Sequence, residues 1–85
     1  ISMAGRDVFA TVEWYAVTRV PYDSYTHGQR DLCLEIRKSM DSPEKFYKTL
    51  LLLKKGLEEL HSDLPYVLGQ LNVLNILLEG YNESL

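Results

Sequence analysis

The feature that most constrains this chain is a helix start signal followed by an apolar stripe. Ser42-Pro43 sets a good N-cap before a residue suited to the first helical position, where proline's missing N–H leaves nothing unsatisfied. Glu44 lies in the first turn, where a negative charge favours the helix dipole. Phe46, Leu50, Leu53, Leu57 and Leu60 then recur at spacings of four and three, which is one face of a helix. Glu44 and Lys48 add a side-chain pair in the favourable order. The spacing predicts a helix over residues 43–61, weakened at Gly56 by about 1 kcal/mol relative to alanine.

A second stripe follows almost at once. Ser62 or Asp63 serves as cap and Pro65 falls in the first turn. Val67, Leu71, Leu74, Leu78 and Tyr81 carry the apolar face, and Gly80 marks the end of a helix over residues 63–80. So short a connection predicts an antiparallel hairpin with facing stripes. Upstream, Leu32, Cys33, Ile36 and Met40 predict a helix over residues 26–40, which Asp41-Ser42-Pro43 ends. Residues 7–20 place Val8, Val12 and Tyr15 on one helical face, yet they are rich in strand-favouring Val, Thr, Trp and Tyr. Helix is preferred there, because no other segment supplies a strand partner. Residues 21–27 read as a loop, and no internal repeat is evident. The expectation is an all-α single domain, a small bundle of three to four helices built on the C-terminal antiparallel helical hairpin.

Composition narrows the function. With 85 residues, 46% of them hydrophobic, a core can be built, though with a thin margin. Residues 1–3 read as a cloning remnant, and the chain as a piece of a longer protein. The lone Cys33 favours a reducing compartment, hence an intracellular protein, cytoplasmic or nuclear. A net charge of −3 without a basic patch argues against a nucleic-acid partner. No apolar run approaches the roughly 18 residues of a membrane helix, so no membrane partner is expected. His27, His61 and Cys33 do not make a zinc set, and Glu58-Glu59 beside Lys54-Lys55 reads as a solvated face. No metal, no cofactor and no catalytic residues are expected.

The unexplained feature is surplus leucine. Leu50, Leu51, Leu52 and Leu53 are consecutive, and Val73, Ile76 and Leu77 lie off the second stripe. Either these helices are central, or a second apolar face meets another chain. The expected function is a non-catalytic protein–protein interaction module that binds a partner amphipathic helix or forms a homodimer. Leu51, Leu52, Val73, Ile76 and Leu77 are the candidate contacts, with Trp14 and Tyr66 as aromatic anchors. The alternative is a helical accessory segment of a larger enzyme. Leu74, Leu77 and Leu78 fit an LxxLL pattern, and Leu64, Leu68, Leu71 and Val73 fit an export-signal spacing. Any amphipathic helix this apolar matches both.

Pro43-Glu44-Lys45-Phe46-Tyr47 followed by Leu50-Leu51 resembles one helix of the paired-amphipathic-helix corepressor domains. Pro65, Val67, Leu68, Leu71 and Asn72 resemble another. The similarity covers about a third of the chain, lacks the helix that the family places between these two, and displaces the motif glycine relative to Gly69. It implies a helical bundle whose cleft captures an amphipathic helix from a transcription factor.

Overall fold

The computed structural model describes residues 4–84, with side chains described for residues 8–82. The remnant expected at residues 1–3 lies outside them. The chain forms α1 (Ala4–Glu13), which continues into a π-helical turn (Trp14–Thr18), and α2 (Ser24–Ile36), which tightens into a 3₁₀ turn (Arg37–Ser39). These are followed by α3 (Pro43–Glu59) and α4 (Pro65–Ser84). The small all-α bundle is as expected, including the α3–α4 antiparallel hairpin. Tyr47 near the start of α3 stacks on Tyr81 near the end of α4, with centroids 4.8 Å apart.

Local chemistry accounts for the helix ends. Ser42 caps α3 by accepting from the Lys45 N–H, with Pro43 at the first position. Past Leu60, His61 sits at φ 48°, the left-handed conformation that ends many helices and usually selects glycine. α2 starts two residues earlier than the expected residue 26, because Asp23 and Thr26 form a reciprocal capping box. α4 runs through Gly80, so that glycine does not end it. The 7–20 segment resolves as helix, but the helix changes type: the Arg19 N–H reaches the Trp14 carbonyl at 2.8 Å, an i to i+5 bond. β-branched Val17 and Thr18 crowd this last turn, and Arg19 leaves it in an extended conformation.

One core holds the helices together. Val8, Val12 and Ala16, four apart, meet Leu32, Cys33 and Ile36 of α2, Phe46 and Leu50 of α3, and Val73, Leu74, Leu77 and Leu78 of α4. Phe9 tilts on Phe46 at 5.3 Å, and Phe46 on Tyr81 at 6.2 Å. α4 touches all three other helices, so its apolar belt must be wider than one stripe.

The α2–α4 crossing is unusually close. A Cβ placed on Gly28 would collide with the Tyr66 carbonyl, and one placed on Gly69 would collide with the Tyr25 carbonyl. Only glycine lets the two backbones meet there. The segments are Tyr25-Thr26-His27-Gly28-Gln29 and Tyr66-Val67-Leu68-Gly69-Gln70, a five-residue Tyr-x-x-Gly-Gln pattern occurring twice. The sequence therefore does contain a short internal repeat, contrary to expectation, and its two copies grip one another. Beside the glycines, Gln29 donates to Asn72 Oδ1 at 2.8 Å and the Tyr66 hydroxyl donates to Asp31 at 2.6 Å.

Candidate functional site

The expected contact residues are not all at the surface. Val73 and Leu77 are corrected: both are wholly buried core residues, because α4 is the central helix and uses them against its neighbours. Leu74 and Leu78 are buried too, so the LxxLL pattern is internal packing. Leu51 and Leu52 are exposed on the outer side of α3, Leu52 at 71%, and Ile76 is exposed on α4. Tyr66 is exposed at the start of α4, with its hydroxyl held by Asp31. That carboxylate, together with some burial, pushes the Tyr66 hydroxyl above its ordinary pKa of 10.0. Among the residues that resemble the corepressor family, Phe46 and Leu50 are wholly buried in the core.

Exposed apolar side chains gather in the short stretch that begins at Trp14. The π-helical turn and the strand-like exit after it expose Trp14 (45%), Val17, Val20 (82%) and Tyr22 (77%) within nine residues. A turn with an i to i+5 bond widens the helix and changes the angular spacing of its side chains. Within it Ala16 is buried in the core, while Trp14 and Val17 are exposed. Trp14 packs edge-on against Tyr15, centroids 4.9 Å apart.

Arg19 sits at the middle of this cluster. Its guanidinium carbon lies 5.4 Å from the Trp14 ring, 5.5 Å from Tyr15 and 5.8 Å from Tyr22. Each distance is within reach of a cation–π attraction. Arg19 Nη1 also donates to Gln29 Oε1 at 2.6 Å. Gln29 is buried and in turn donates to Asn72, so a relay of side chains fixes the arginine to α2 and α4. Burial raises the Tyr15 hydroxyl above its ordinary 10.0, with Arg19 pulling in the opposite direction.

Among the arginines whose side chains are described, Arg30 and Arg37 each have a carboxylate within 4 Å, Asp31 at 3.6 Å and Glu13 at 2.7 Å. Arg19 forms no such ion pair among the described residues. Asp23 is the nearest acid by sequence, and its carboxylate accepts from the Thr26 N–H and hydroxyl. Those bonds, with Arg19 and His27 acting at longer range, hold Asp23 below the usual carboxylate value of 3.8.

The titratable candidates stand apart. Cys33 is wholly buried in the core, and burial pushes its thiol up to about 12. Among the described residues no three His, Cys, Asp or Glu side chains cluster as a metal set would require. No helix among them is long and apolar enough to cross a membrane. The sequence had pointed to Trp14 but not to Arg19, Val17, Val20 or Tyr22. The available signal was the mixture of aromatic, β-branched and arginine residues from 14 to 22, which weighs only as helix against strand over residues 7–20 and as loop beyond. Comparison with protein-family models, with curated proteins and with solved structures finds no match.

Proposed function

We propose that this domain is a protein-interaction module that docks a partner through the Trp14–Arg19–Tyr22 cluster. The observation that carries the reading is the grouping of exposed Trp14 and Tyr22 around the half-buried Arg19 guanidinium, where the π-helical turn gives way to the loop before α2. Trp, Tyr and Arg are the residue types that dominate binding energy at interfaces, because they combine large apolar area with directed polar groups. The relay through Gln29 and Asn72 supports the same reading. It holds the arginine in place before a partner arrives, which lowers the ordering entropy lost on binding. Leu51 and Leu52 on α3 and Ile76 on α4 are exposed as well, and among the described residues no charged or aromatic group of the Trp14 kind is shown beside them.

The test is selection of displayed random peptides on the intact domain, with counter-selection on Trp14→Ala and Tyr22→Ser. Peptides that bind the parent domain and are lost on both variants, while the variants keep cooperative melting, are the expected result. Enrichment indifferent to Trp14 and Tyr22, or no enrichment at all, would overturn the proposal.

A further inference from the structure

Resting on the docking reading above, we infer that the segment bound at this cluster is foreign, acidic and apolar, and presents a carboxylate to Arg19. A guanidinium offers five N–H donors in a planar fork that matches a carboxylate at two points. Arg19 spends one donor on Gln29, and no carboxylate answers the others among the described residues. The three rings around it keep part of its water away. An ion pair formed there is stronger than one on an open surface, where solvent screens the charges. Asp23 acts on Arg19 only at longer range: its Oδ1 is committed to the Thr26 cap, and it forms no ion pair with the guanidinium within 4 Å. Trp14 and Tyr22 flank the guanidinium and offer exposed contact to apolar side chains beside the carboxylate, with Val17 and Val20 exposed on the same stretch of chain. The net charge of −3 gives no long-range attraction for an acidic partner. Recognition is therefore a short-range match at Arg19, and association depends on salt far less than for a partner steered by charge.

The experiment compares two peptides on the full chain: acetyl-Leu-Glu-Leu-Leu-amide and the same peptide with Gln in place of Glu. Binding is followed by NMR at the Trp14 indole N–H and the Arg19 Nε–H, up to about 5 mM peptide, a range suited to weak affinities. The Glu peptide should bind about tenfold more tightly, as a charge-assisted fork contact allows. Arg19→Gln should abolish the difference and Arg19→Lys should shrink it, with melting curves checking the fold. The comparison on the unaltered chain stands even if both variants unfold. Equal binding of the two peptides, no binding of either, or a difference that survives Arg19→Gln would each overturn the inference. So would concentration-dependent dimerisation lost in Arg19→Gln, since the occupant would then be a second copy. Neutral displayed peptides that still need Trp14 would retain the docking reading and remove only the carboxylate, so the two failures are distinguishable.

Discussion

Replacing Gly28 by alanine should damage this domain more than its surface chemistry suggests. The added methyl lands on the Tyr66 carbonyl, which is backbone of a packed helix and cannot rotate away. α2 and α4 must separate, and overpacking of this kind typically costs about 1–3 kcal/mol. The separation also stretches the 2.8 Å bond from Gln29 to Asn72, worth about 1 kcal/mol when intact. Against this stands the helix propensity gained on going from glycine to alanine, about 1 kcal/mol. The net loss is about 1–3 kcal/mol. A chain of 85 residues has about 4–13 kcal/mol in total. For a domain of this size each kcal/mol lowers the midpoint by about 4–8 °C. Gly56→Ala is the internal control, because nothing lies within 4 Å of the position its Cβ would take. It should stabilise by about 0.5–1 kcal/mol through propensity alone. Urea denaturation followed by far-UV circular dichroism measures all three proteins on one scale. A Gly28→Ala protein as stable as Gly56→Ala would refute the close crossing.

Other outcomes follow from the same structure. Leu52→Ser should change stability by less than about 0.5 kcal/mol, whereas Val73→Ala should cost about 1–3 kcal/mol; denaturant midpoints distinguish the exposed residue from the core one. His61→Gly should stabilise by about 1 kcal/mol, since φ 48° strains a residue with a Cβ; thermal melting checks it. Cys33 should resist thiol reagents in the folded protein and react only when denaturant opens the core, measured by the labelling rate. Its folded pKa of about 12 exceeds the ordinary 9.0, so the unfolded chain loses the proton first as pH rises. The contribution is thus intact below pH 9.0 and lost progressively towards about 12, which alkaline denaturation curves should record. Asp23 is shifted the other way, so its stabilising share is present above the ordinary 3.8 and is lost as pH falls through the lower folded value. Asp23→Asn should keep the cap and remove that acid dependence.

The elements most legible in the sequence were those specified by local chemistry. Ser42-Pro43 and the stripe from Phe46 to Leu57 produced α3 within two residues of its expected end, because caps and periodicity act over a single turn. Burial on α4 was less legible. Its stripe was placed on Val67, Leu71, Leu74, Leu78 and Tyr81, but the deepest positions include Val73 and Leu77. A helix flanked by three neighbours buries an arc set by where they sit, which no local spacing encodes. The cluster at Trp14 was only partly visible for a related reason. The π-helical turn moves side chains off the α-helical wheel, and Arg19 reaches its rings only after the chain has left that turn.

The doubled Tyr-x-x-Gly-Gln pattern also has a thermodynamic consequence. Gly28 meets Tyr66 as Gly69 meets Tyr25, so the α2–α4 crossing is pseudo-twofold, an isologous contact made within one chain. A single displacement of the two helices relieves a clash at either position. Once Gly28→Ala has made that displacement, much of the penalty of Gly69→Ala has already been incurred. The two glycines form one energetic unit, and a double-mutant cycle should return a coupling energy comparable with the cost of either change alone.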